Sequence, residues 1–338
     1  MGKTSRFWNH TIPPALLLLF LATILPLPLH GEACLAAADM DAATRAALQG
    51  TALRYFAMVA RGDVASLRQN AIASLAADFT AIETAVTDSK ANLSGSQPVA
   101  RSPFLLQEQG TGPAPRAEFL CGVFGKSGQT AESAVFVIPN LATGNYAIVI
   151  LDVPAHAPVT ASFVLQQQGP DWKLGGLYIR PTHINGHDGN WFAQQAAAFK
   201  AKGQVHNAWL YYREAAELLS PLPFMSTLAT DKLYDDIQSA QPSDMPTSGP
   251  VDLVAGGRTY RLTAVFPLAV GDDLDLVVKY QVADISNTAQ TFQENTNLIK
   301  AFVAKYPELR GAFTGIVARA VEPSGRDYGS LLPMKEIK

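Results

Sequence analysis

The chain has 338 residues, with 26 basic and 29 acidic side chains and a net charge of −3. That mild acidity provides no electrostatic footprint for nucleic acid, and the length is sufficient for two ordinary hydrophobic cores. Walker loop, dinucleotide fingerprint, Gly-x-Ser-x-Gly elbow, Cys-x-x-Cys pair and His-Glu-x-x-His helix are all missing from the sequence, which lowers the expectation of an enzyme.

Lys3 and Arg6 precede an uncharged apolar run from Ala15 to Leu25, bounded by Pro14 and Pro26. The run is too short for a bilayer-spanning helix, which needs about 20 residues. It reads as an export signal over residues 1–38, with small residues offering cleavage after Ala33 or Ala38. The expected destination is periplasmic or extracellular, with no membrane span after cleavage. Cys34 invites a second reading as the lipidated cysteine of a lipoprotein, although Gly31 and Glu32 fit a lipobox poorly. If Cys34 is discarded with the signal, Cys121 is the lone cysteine of the mature chain and reads as a small core residue.

Residues 39–182 read as one α+β unit. Asp41 is placed to cap a helix whose stripe is Leu48, Ala52, Tyr55 and Val59, and Gly62-Asp63 reads as a stop followed by a new cap. Val64, Leu67, Ala71 and Leu75 continue with helical spacing, and Phe79, Ile82 and Val86 either extend it or start a third helix, so that three short helices are expected to open the unit. A Ser/Gly/Pro-rich stretch then holds one short strand at Phe104 to Gln107. Five strands follow at Glu118–Phe124, Ala134–Ile138, Tyr146–Val153, Val159–Gln167 and Trp172–Arg180, the last two joined by a turn at Gly169-Pro170-Asp171. Helices first and antiparallel strands afterwards predict helices on one face of a curved sheet.

Tyr55-Phe56-x-x-x-x-Arg61-Gly62-Asp63, together with paired strands ending ASFVLQQQGPDWKLGGLYIRP, resembles the NTF2-like, or cystatin-like, superfamily of secreted bacterial proteins. The resemblance implies a cone whose interior holds a ligand, with Tyr55, Tyr146, Trp172 and Tyr178 as candidate ligand-binding residues. Members range from isomerases and dehydratases to binding modules that catalyse nothing, so the resemblance alone does not assign an activity. An isomerase site of the ketosteroid type needs a carboxylate base, for which Asp152 is the available residue, but its place at a strand end reads as a solvated carboxylate.

His183, His187 and Asp188 lie close together in PTHINGHDGNW, a pattern compatible with a divalent metal. The simpler reading makes Asp188 or Asn190 the cap of the next helix. Residues 183–222 resemble a single tetratricopeptide-type helix pair. Gly203, Ala208, Tyr212, Ala215 and Pro221 fall at the spacing of that motif, and Phe192, Ala196 and Phe199 precede them. One unit is too few for a solenoid, so the pair is expected to brace the units on either side, burying Phe199 and Trp209. His206 reads as a lone structural histidine.

Residues 223–250 are expected to hold a short amphipathic helix, with Leu228, Leu233 and Ile237 as contacts, and then a Pro/Ser-rich linker. Residues 251–338 predict a second α+β unit with strands at Val251–Val254, Thr259–Phe266, Leu274–Val282 and Phe313–Val321. A helix from Asn287 to about Lys305 carries Phe292, Leu298, Ile299, Phe302 and Val303 on one face, and the chain ends in a turn and a polar tail. Asp272, Asp273 and Asp275 lack EF-hand spacing and read as a solvated turn. The sequence thus points to an exported protein that binds a partner in the cell envelope without catalysis, and implies no cofactor. The competing reading is an enzyme or carrier for a small apolar ligand in the cone.

Overall fold

The structure, a computed structural model, describes residues 31–271 and 273–338; most of the expected export segment, and Asp272, lie outside the described residues. The chain forms an α+β fold of helices and largely antiparallel sheets. In order, the first half contains β1 (Gly31–Leu35), α1 (Ala42–Arg61), α2 (Val64–Gln69), α3 (Ala73–Ala77), α4 (Thr80–Leu93), β2 (Val99–Ala100), β3 (Phe104–Gln109), β4 (Ala114–Gly125), β5 (Gly128–Leu141), β6 (Gly144–Val153), β7 (Val159–Gln168) and β8 (Asp171–Pro181). It continues through β9 (His183–Ile184), β10 (His187–Asp188), α5 (Gly189–Ala201), α6 (Val205–Leu219), β11 (Met225–Thr227) and α7 (Leu228–Ala240). The last part holds β12 (Val251–Ala255), β13 (Arg258–Val270), β14 (Asp273–Gln281), α8 (Thr288–Lys305), β15 (Gly315–Val321) and β16 (Asp327–Pro333).

The opening helices follow the local signals. The Asp41 side chain accepts from the Thr44 amide, Gly62 closes α1 in the left-handed conformation with φ 72°, and Asp63 caps α2 through the Ser66 amide. These helices cover one face of a sheet ordered β1-β3-β6-β7-β8, with β2 also on β6. Side chains alternate across that sheet. Val149, Leu151, Phe163 and Leu165 face Leu48, Tyr55, Phe79 and Val86 in one core. Tyr146, Ile148 and Ile150 face the other way, against Phe119 and Phe136 of the β4–β5 hairpin. Because β6 is covered on both sides, it reads in sequence as a nearly unbroken apolar run.

Cys34 and Cys121 are joined in a disulfide with a Cα separation of 5.2 Å. This corrects the expectation that Cys34 is discarded and that Cys121 stands alone. Residues 31–35 pair with β3 from Gly31↔Gln109 to Leu35↔Leu105, so they are an edge strand of the folded unit. The bond ties that strand to β4 in the neighbouring hairpin sheet. The sequence GEACL, with Gly31 and Glu32 in it, carries no strand pattern of its own, and its place beside β3 comes from that pairing.

The helix pair is held to its surroundings by burial on many sides. On α6, Ala208, Trp209, Leu210, Tyr211, Tyr212, Ala215 and Leu218 are all buried, and Phe199 packs against them half-buried. That core is continuous with Leu276 and Ile316 of the C-terminal sheet and Phe302 of α8. On the other side, Ser162 of β7 donates to the Pro221 carbonyl at 3.2 Å, Leu222 is buried against the hairpin, and β11 pairs antiparallel with β5. A glycine is required at the pair's entrance. A Cβ on Gly189 would lie 2.9 Å from the Ala215 carbonyl oxygen and 2.6 Å from Leu219 Cγ.

The stretch expected as a free linker is docked instead. Met245 is buried, and the Tyr306 hydroxyl donates to the Asp244 carbonyl at 3.1 Å. In α7, Leu233 is buried, but Leu228, expected as a contact, is 47 % exposed. The C-terminal sheet runs β12-β13-β14-β15-β16, with β14 and β15 parallel across the α8 connection. Three expectations are corrected there. The polar tail forms the edge strand β16, Phe292 is exposed on the outer face of α8, and Asp275 is 3 % exposed rather than a solvated turn residue. Alternation explains the first: Tyr328, Ser330 and Leu332 point inward between exposed Asp327, Gly329 and Leu331, a pattern diluted by two polar inward positions.

Candidate functional site

The sequence-predicted ligand residues do not share one cavity. Tyr55 is buried on the helix side of the first sheet, and its hydroxyl donates to the Trp172 carbonyl at 2.8 Å. Tyr146 and Tyr178 lie on the opposite, hairpin side. The Tyr146 hydroxyl donates to the Ala142 carbonyl at 2.9 Å, and Tyr178 meets Phe224 edge-on at 5.6 Å. Burial raises the phenol pKa of all three. The sheet itself separates Tyr55 of α1, with Trp172 packed on the same side, from Tyr146 and Tyr178, which share the hairpin side, and both interiors are filled by side chains.

The histidine turn is also distributed among separate tasks. Asp188 caps α5 by accepting from the Trp191 amide at 2.8 Å. His187 stacks on the Trp191 ring at 3.7 Å, with 8° between the planes. The Thr182 hydroxyl donates to the Pro158 carbonyl at 3.1 Å, so its oxygen accepts from His183 Nδ1 at 2.9 Å. Among the described residues, no group of three or more His, Cys, Asp or Glu side chains could hold a metal ion. Asp152 pairs with Arg101 through Oδ1 at 2.7 Å.

His206 joins three segments, which its isolation in the sequence did not suggest. Its Nε2 lies 2.9 Å from Asp244 Oδ1 in the docked stretch, and its Nδ1 lies 2.6 Å from Glu308 Oε1 beyond α8. Asn207 beside it is fully buried and donates to the Glu308 carbonyl at 2.8 Å. These contacts seat the start of α6.

The C-terminal end of α6 lies between two clefts. One, of about 480 Å³, is bounded by Arg101, Asp152, Thr160, His183, Asp188 and Leu218. The other, of about 320 Å³, is bounded by Arg180, Glu214, Leu218, Phe266, Pro267 and Leu268 among others. The second lies where β8 of the first unit, α6 and β13 of the C-terminal unit meet. Arg180 pairs with Glu217. Arg213 donates to the Val265 carbonyl at 2.7 Å, and its guanidinium lies 4.7 Å from the Trp209 ring centroid.

Glu214 is the unusual group in this seam. Loss of hydration on burial pushes its carboxyl up to about 7, helped by the negative charge of Glu217 and opposed by Arg213 and Arg180. It therefore changes charge near neutral pH, beside two guanidinium groups and an apolar shelf of Phe266, Pro267 and Leu268. Sequence reading missed it because Arg-Glu inside a helical pair looks like an exposed i,i+1 charge pair. The only available signal was the dense aromatic content of α6, which implies that this helix is surrounded.

The sign of the effect on stability follows from linkage. Because the folded-state value exceeds the ordinary carboxylate value of 4.5, the stabilisation is complete below about pH 4.5 and is lost as pH rises through about 7. The expected loss is about 3 kcal/mol, from roughly 1.4 kcal/mol per pKa unit. Glu214→Gln should remove this dependence, which urea unfolding at a series of pH values will show; a wild-type curve parallel to that of the variant would contradict the assignment.

No protein-family model, curated protein or solved structure matches the chain. No helix among the described residues is long and apolar enough to cross a membrane.

Proposed function

We propose that this is an exported protein of the cell envelope that binds a protein partner at the seam beside α6 and performs no chemistry of its own. The observation carrying the export reading is the Cys34–Cys121 disulfide, because such bonds persist in oxidising compartments and are rare in the cytosol. The basic and then apolar start of the sequence supports the same destination. With its sulfur in that bond and its strand paired with β3, Cys34 favours release of the signal upstream of Gly31 without lipid attachment.

The NTF2-like reading of residues 39–182 draws support from α1 ending at Gly62-Asp63, helices covering one sheet face, and long final strands with Trp172 near their turn. The tetratricopeptide-type reading of α5 and α6 draws support from Gly203 between them and from small Ala196, Ala208 and Ala215 buried at their contact. A binding role suits this arrangement better than a carrier role, since Tyr55, Phe79 and Phe163 occupy the space a ligand would need inside the first unit. The seam instead offers an accessible apolar shelf of Phe266, Pro267 and Leu268, with Leu268 39 % exposed, suited to an apolar segment of a protein partner with a polar rim around it.

The experiment is a pull-down from envelope extract with wild type and Leu268→Glu, alongside intact-mass measurement of the protein recovered outside the cytoplasm. Expected are a specific partner lost in the variant, and a lipid-free chain that begins upstream of Cys34 with both cysteines oxidised. Recovery of nothing above background would remove the binding role; a cytosolic protein with free thiols would remove the export reading.

A further inference from the structure

We propose that the cleft where α8 begins, at one end of the C-terminal sheet, is a second binding site, for a neutral polyhydroxylated ligand of the sugar type. The cleft measures about 410 Å³ and is bounded by the start of β13, the end of β14 and the first turns of α8; it shares no lining residue with the seam cleft, which takes Phe266, Pro267 and Leu268 further along β13. The lining of the cleft at α8 includes the planar polar groups of Arg258, Gln281, Asn287, Gln290 and Glu294. Such forked amide, carboxylate and guanidinium groups match vicinal hydroxyls, each of which both donates and accepts.

Charge and polarity narrow the ligand class. Arg258 pairs with Glu294, whose other oxygen accepts from the Tyr260 hydroxyl at 3.2 Å, and Asp284 accepts from the Ser286 amide at 3.0 Å. One cation facing two carboxylates gives no attraction for phosphate or other anions, and the polar rim offers little to an apolar ligand. The Gln281 and Gln290 side chains are exposed and make no hydrogen bond with the described residues, so both are available to a ligand.

The walls are fixed in advance. Glu322 accepts from the Ile285 amide at 2.9 Å and is gripped by Arg326, which pins the loop between β14 and α8. The Asn287 side chain caps α8 at the Gln290 amide. Beneath the cleft, the Tyr280 hydroxyl donates to Asn295 Oδ1 at 2.8 Å, and Asn295 Nδ2 donates to Ser330 Oγ at 2.9 Å. Preorganised groups of this kind lose little freedom when a ligand arrives.

The test is amide chemical-shift titration of the full chain with glucose, N-acetylglucosamine, maltose and chitobiose, with trialanine as a second neutral hydrogen-bonding probe. Saturable shifts confined to residues 258–260 and 280–294 are expected with at least one sugar. Gln281→Ala/Gln290→Ala should weaken that binding about tenfold through two lost hydrogen bonds, with melting unchanged because both side chains are exposed. Absence of shifts with every sugar, equal binding by the double variant, or saturation by trialanine alone would overturn the proposal. Because the readout is local to the C-terminal unit, either result leaves the seam reading to its own experiment.

Discussion

Cys121→Ser is expected to destabilise the N-terminal sheet unit by about 4–5 kcal/mol under oxidising conditions. Cys34 and Cys121 are 87 positions apart, and closing a loop of that length removes roughly this much chain entropy from the unfolded state. Removing a native bond usually costs about 2–5 kcal/mol, so the entropy figure lies at the upper end. The loss should also have a local signature. Among the described residues β1 is an edge strand paired with β3 alone, and without its clip to β4 its amides should lose protection before those of β6 and β7. A urea midpoint matching that of the wild type, with β1 amides equally protected, would show that the bond contributes nothing to the folded unit.

Ala208→Trp is expected to cost about 1–3 kcal/mol or more, because a fully buried Cβ position has no room for an indole. Ala208 lies on α6, and its neighbours Trp209 and Tyr211 are buried in the core shared with the C-terminal sheet. Tyr211 is fixed on several sides: its hydroxyl donates to the Ala312 carbonyl at 2.6 Å, and Phe192, Phe199 and Phe313 surround its ring. Burial pushes its phenol up to about 12. An indole at position 208 must therefore displace packed aromatics. Lys202→Ala, at the exposed C-terminal cap of α5, should stay within about 0.5 kcal/mol of wild type. Thermal melts of the two variants provide the comparison.

Local signals were legible in the sequence wherever chain neighbours alone decide the conformation. Asp41, Gly62, Asp63 and Asp188 act through groups three or four residues away, and short β-type runs bounded by turn residues marked β6 to β8 within a few residues. What the sequence hid depends on long-range partners. β1 acquires its strand character only by pairing with β3, β11 only by pairing with β5, and Cys34 meets Cys121 across two sheets. The candidate site was less legible still. Glu214 becomes unusual because three elements close over it, and His206 because Asp244 and Glu308 arrive from distant segments. Conversely, of the tyrosines expected to converge in a cone, Tyr55 of α1 lies on one side of the sheet and Tyr146 and Tyr178 on the other.

The central structural claim is that α6 belongs to the same core as the C-terminal sheet while it also shapes the seam with the first unit. Native-state hydrogen exchange tests it most directly. The account predicts that amides of α6, β14 and β15 open together with one free energy, and that Ala208→Trp lowers all three while leaving β6 and β7 unchanged. Exchange of α6 at its own lower free energy, or in step with β6 and β7 and independently of β14, would contradict it.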